Sequence, residues 1–142
     1  EHSHAGRYDQ YLRAAHQTDQ WISNLWDWIQ SEPEYKDQTT LLITTDHGRG
    51  RNPRKNWRHH GRHVFGSDEI WMAVLGPDTP ADGEMKEAQL YQKQLAKTIA
   101  AFLGEDYQNN FAVGDLIHSM IRPETLIADV IQQAVVDARP KK

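Results

Sequence analysis

The chain contains no cysteine, which excludes disulfides, thiolate nucleophiles and cysteine-based zinc knuckles. It leaves the compartment open, because a cysteine-free protein can reside anywhere. Long hydrophobic runs are missing as well. The stretch Ile70 to Leu75 is typical of the apolar segments, far below the ~20 residues that a membrane-spanning helix needs, and no secretory h-region appears. No internal repeat is found. Neither sign of charge dominates: 16 Lys and Arg stand against 20 Asp and Glu, a formal net charge of −4. What is present is a mixed chain of 142 residues, 38% apolar, with 5 Trp, 5 Tyr and 3 Phe, enough to bury the core of about one domain. It opens at Glu1 inside a histidine-bearing stretch, Glu1-His2-Ser3-His4, and so reads as a piece of a longer protein.

Apolar positions Tyr8, Tyr11, Leu12, Ala15, Ile22, Leu25, Trp26 and Ile29 follow spacings of three and four, predicting a helix over 6–30. Helical spacing assigns Trp21, Trp26 and Trp28 to core or interface packing rather than to a ligand platform. Pro33 and its polar neighbours interrupt the period. Residues 39–45 form a β-branched, non-alternating run, as a strand covered on both faces should look, and it ends at Asp46-His47-Gly48. Residues 49–69 have no period and read as a long loop. A second strand follows over Ile70–Leu75, then a turn-rich connection, then a helix from Glu84 with Gly104 in the C-cap place. A last helix is expected over Glu124–Ala138. The pattern predicts an α/β protein: a three-layer α/β/α sandwich with a mostly parallel sheet, incomplete in this fragment. Residues 1–110 would be the main domain part and 111–142 a C-terminal extension.

In such sheets ligands bind beyond the carboxyl ends of the strands. Asp46 and His47 sit at such an end. Taken singly, Asp46 reads as a turn cap, and His59, His60 and His63 as part of a solvated basic loop. Taken with His4, they make three separated histidine sites gathered at the edge of one sheet. A carboxylate and imidazoles aimed from a rigid strand end into one crevice are suitable ligands for a borderline metal such as zinc.

The segment Thr44-Thr45-Asp46-His47-Gly48 resembles the metal-binding Asp-His-Gly motif of the alkaline phosphatase superfamily, which includes phosphatases, phosphodiesterases, sulfatases, phosphopentomutase and the cofactor-independent phosphoglycerate mutases. The order of elements is similar too. His4 matches the histidine of the family's Asp-x-x-x-His element, whose aspartate would stand one position before Glu1, and His60-Gly61 matches the later single histidine. The resemblance implies the C-terminal portion of a two-metal hydrolase or transferase acting on phosphoryl or sulfuryl esters, phosphate being preferred. It implies that Asp46 and His47 bind one ion, and that His4 and His60 bind the other. His2, and His59 or His63, are the alternatives within each cluster. It also implies that the Ser or Thr nucleophile lies N-terminal to this chain, so that no nucleophile is assigned here. Two divalent ions about 4 Å apart suit in-line transfer at phosphorus or sulfur. Zinc is the first choice for these donors, with manganese the alternative as the carboxylate share rises.

From Arg49 to Arg62 there are six basic residues, Arg49, Arg51, Arg54, Lys55, Arg58 and Arg62, and no acid. Outside this loop ten basic residues face twenty acidic ones, so positive charge is concentrated beside the expected metals. Arg49 and Arg62, nearest the expected ligands, are the candidates for clamping an anionic small-molecule ester. The rival is a polyanion or nucleic-acid binding module built on Arg51, Arg54, Lys55, Trp57 and Arg58. The overall acidity of the chain speaks against a dedicated nucleic-acid domain.

Overall fold

The computed structural model describes residues 1–86 and 88–126. These fall into two compact units, Glu1–Gly76 and a second from Pro77 onward.

In the first unit, helix α1 runs from Tyr8 to Ser31, where the three-and-four spacing placed it. It stops because Glu32, the residue before Pro33, is extended (φ −91°, ψ 121°), the conformation that a following proline ring enforces. The apolar stripe of α1 is covered only in part: Ile29 is buried, whereas Trp21 and Trp28 are 63% and 50% exposed. Packing into a core of this chain therefore does not account for these two tryptophans.

Strands β1, Leu41–Thr44, and β2, Met72–Leu75, pair antiparallel with Leu41 opposite Leu75 and Thr44 opposite Met72. The sequence led us to expect a mostly parallel sheet; among the described residues the sheet is this antiparallel pair. The reason is the intervening chain. A parallel neighbour requires a crossover back to the starting end of the first strand. Residues 45–71 instead leave β1 at its carboxyl end and return there. Both strands are half-buried rather than fully covered, so the apolar run reported β character correctly but not coverage on both faces.

The returning chain is folded by its own backbone. Gly48 N–H donates to the Ser67 carbonyl at 2.8 Å, Gly50 N–H to His59 at 3.0 Å and Arg51 N–H to Phe65 at 3.1 Å. Gly48 is needed for close approach. A Cβ there would stand 2.3 Å from the carbonyl oxygens of both Gly66 and Glu69, so any side chain would force the loop away from the strand end.

In the second unit, the helix expected from Glu84 is shorter. A 3₁₀ turn at Gln92–Gln94 leads into α2, Leu95–Phe102. The start is fixed late because Gln94 Oε1 accepts the Tyr91 N–H at 2.8 Å. Its end is a Schellman motif, with Glu105 N–H on the Ala100 carbonyl and Gly104 N–H on the Ala101 carbonyl. Leu95, Ile117, Met120 and Ile121 are buried, and beside them Thr98 is completely so. The Thr98 hydroxyl donates to the Gln94 carbonyl at 2.8 Å and accepts the Ile117 N–H at 3.1 Å. Thr98→Val keeps the volume but strands that buried N–H, so it should cost about 1–3 kcal/mol. The check is a lower urea midpoint with an unchanged slope. Residues 123–126 are helical; the rest of the helix expected to Ala138 lies outside the described residues.

Candidate functional site

The carboxyl end of β1 delivers Asp46 and His47, and the folded loop returns His60 over them. The His47 and His60 rings stack with centroids 3.7 Å apart and planes 16° from parallel. The His4 ring, carried by the segment before α1, lies 5.1 Å from His60 at 54°. Four residues singled out in the sequence, His4, Asp46, His47 and His60, are thus neighbours in space.

Hydrogen bonds define how His47 is held. Its backbone N–H donates to Asp46 Oδ1 at 2.9 Å, and its Nδ1 lies 2.8 Å from the Gly48 carbonyl oxygen. A carbonyl can only accept, so Nδ1 carries a proton in this contact, and in the neutral form of the ring the lone pair is then on Nε2. That Nε2 stands 3.5 Å from Asp46 Oδ2. A nitrogen lone pair and a carboxylate oxygen facing each other repel unless positive charge lies between them. A proton on Nε2 satisfies the pair, and so does a cation; 3.5 Å is close to what two donors about 2.0–2.2 Å from one zinc ion span.

His60 is held below the ordinary histidine value of 6.5, first by partial desolvation, then by the His47 and His4 imidazoles and the Arg49 guanidinium; Asp46 opposes the shift. Its ring is therefore neutral at pH 7, with a lone pair to offer. In an NMR titration of the metal-free chain, His60 should titrate below 6.5. His47→Ala should move the midpoint up, and Asp46→Asn should move it further down. The sign for stability follows. The unfolded chain takes up this proton first, so the contribution is complete above 6.5 and is lost as the pH falls through the lowered folded value.

Arg49 passes over Tyr11, its Cζ 5.5 Å from the ring centroid, and its buried Nη1 has no hydrogen-bond partner among the described residues. Arg62 lines an open groove of about 560 Å³ together with His47, His60, His63, Phe65 and Asp68. The other basic residues of the loop divide. Arg51 forms an ion pair with Glu69 and lies over Phe65, and Arg58 donates to the His4 carbonyl. The sequence reading missed these partners because they are made across the loop, and nothing in the order of residues marks them. It also passed over the Tyr8, Tyr11 and Trp57 cluster that joins α1 to the loop.

Among the described residues no three His, Asp or Glu side chains converge as a formed metal centre. The stacking explains this for two of them. Face-to-face stacked rings do not chelate one ion between their faces, because the nitrogen lone pairs lie in the ring planes. The donor types, imidazole and carboxylate, fit zinc or manganese.

A family model described as sulfatase matches residues 2–105. The chain belongs to the sulfatase family. Sulfatases lie within the alkaline phosphatase superfamily, are hydrolases and have an α/β fold. No curated protein and no solved structure matches the chain. The sulfatase match contains His4, Asp46, His47, His60, Arg49 and Arg62, and it extends across both compact units.

Proposed function

We propose that this sulfatase-family chain supplies metal ligands to a two-metal hydrolase or transferase of phosphoryl or sulfuryl esters. Following the order of elements in the superfamily, the Ser or Thr nucleophile comes from sequence N-terminal to these residues. The observation that carries the reading is the Asp46 carboxylate oxygen 3.5 Å from His47 Nε2, with the His60 ring stacked on His47 and the His4 ring beside it. Asp46 and His47 hold one cation; His60 and His4 contribute to the second. Bound there, a pair of divalent ions, zinc first and manganese second, supplies Lewis acidity toward the ester oxygens and the nucleophile.

The rest of the work falls to the chain itself. The hydrogen bond from Nδ1 to the Gly48 carbonyl orients the His47 ring. Arg49, with an unpaired buried nitrogen, and Arg62, on the groove, receive the anionic ester through paired N–H donors. The polyanion module is disfavoured by the use of the loop's own cations: Arg51 and Arg58 are spent on Glu69 and on the His4 carbonyl.

The test is chelation of the intact enzyme. Hydrolysis of an aryl phosphate and an aryl sulfate should be lost with a strong chelator and restored by zinc, and the faster of the two esters identifies the substrate class. Activity indifferent to chelation would overturn the reading. Polyanion binding with steep salt dependence and no metal dependence would establish the rival.

A further inference from the structure

Arg58 closes the 3₁₀ turn Arg54–Arg58, two residues before His60. Its guanidinium is committed within the chain: Nε and Nη2 both donate to the carbonyl oxygen of His4, at 3.3 and 2.9 Å, across 54 positions of sequence. Beneath it lies Gly6. A Cβ on Gly6 would stand 3.0 Å from Cζ, 3.1 Å from Nε and 3.2 Å from Nη1, so the guanidinium fills the space that the missing side chain leaves. The preceding residue, Trp57, meets the Tyr8 ring edge-on at 5.1 Å and the Tyr11 ring at 5.9 Å. One short turn is therefore fastened to the N-terminal segment by two consecutive side chains, and His60 follows directly from it.

We propose that Arg58 is a positioning residue that sets the His4 imidazole against His60. Two N–H groups converging on one carbonyl fix the direction of the His4 main chain as well as its distance, which a lysine ammonium on a flexible stem cannot do. The functional consequence rests on the proposed metal-binding role of the two histidines, whereas the ring placement does not. The sign of the effect separates positioning from charge. A guanidinium near a cation site opposes cation binding by simple Coulomb repulsion, so removing it for charge alone would tighten that site. Removing it as a support weakens the site.

The experiment uses the intact enzyme that contains this chain. Zinc affinity is measured by competition with a chromophoric chelator, and His4–His60 inter-ring NOEs are recorded without metal. Arg58→Met, which keeps the apolar stem, should weaken zinc binding roughly 10–100-fold, the range for loss of a residue supporting a metal ligand. It should also lose the inter-ring NOEs. Arg54→Met removes the same charge from the same turn and should not weaken binding. Arg58→Met that binds zinc as tightly as the parent, or that keeps the NOEs, overturns the proposal. So does full recovery in Arg58→Lys, which would show that the paired, directional N–H donors are not needed. If Arg58→Met loses its near-ultraviolet circular dichroism, Arg58→Lys, which keeps the stem and the charge but not the paired donors, supplies the comparison. An intact parent enzyme that binds no zinc, or a His4→Ala variant that binds it unchanged, removes the metal-binding role; the NOE comparison still decides the placement.

Discussion

Asp46→Ala in the intact enzyme should lower kcat/KM for ester hydrolysis by at least roughly 10²–10³-fold, the range for removing one preorganised electrostatic group from an active site. The carboxylate oxygen Oδ2 lies 3.5 Å from His47 Nε2, and the side chain is 86% exposed, so packing contributes little to its place. Its structural share is small. Oδ1 accepts the His47 N–H at 2.9 Å, a bond worth about 0.5–1.5 kcal/mol net. Asp46→Asn separates the two roles, because it keeps a carbonyl oxygen for that N–H while removing the charge. It should match the activity loss of the alanine variant and retain the parent's thermal midpoint. Near-parental turnover of both an aryl phosphate and an aryl sulfate by Asp46→Ala would take the residue out of the site.

How far the sequence could be read depended on whether the deciding interaction was local. Helix α1 is a case where it was: the three-and-four spacing and Pro33 fix both its register and its end within one or two residues. The end of α2 was legible for the same reason, since Gly104 sits in the Schellman position; its start was not, because the Gln94 side chain cap on Tyr91 competes with a period that continues upstream. Strand identity was readable from β-branched residues, but pairing direction was not. That direction depends on where residues 45–71 return, and the returning chain is held by contacts such as Gly48 to Ser67 that carry no periodic signal. At the candidate site, the Asp-His-Gly order located the strand-end ligands. The choice of His60 among three histidines came from motif position alone; in the structure its ring lies against those of both His47 and His4. The close approach at Gly48 was not legible either, because it is made with residues far along the chain. Its lack of a Cβ admits the carbonyl oxygens of Gly66 and Glu69.

His60→Ala provides the other large expected effect, a loss of about one bound divalent ion per chain from a two-ion site of the kind proposed. His60 is the ring through which the cluster is joined, stacked on His47 at 3.7 Å and 5.1 Å from His4, so its removal breaks both contacts at once. Little stability should go with it, since the residue is exposed. Elemental analysis of dialysed parent and variant measures the stoichiometry, with His59→Ala and His63→Ala as the discriminating comparisons. His59 holds the loop through its backbone, its carbonyl accepting the Gly50 N–H at 3.0 Å, a bond that side-chain truncation leaves in place. His63 lines the groove beside Arg62. Both variants should therefore keep the parent's metal content, and His63→Ala should raise KM for the ester with metal content unchanged. Full metal content in His60→Ala, with loss in either neighbour, would transfer the ligand role to that neighbour and break the proposed pairing with His4.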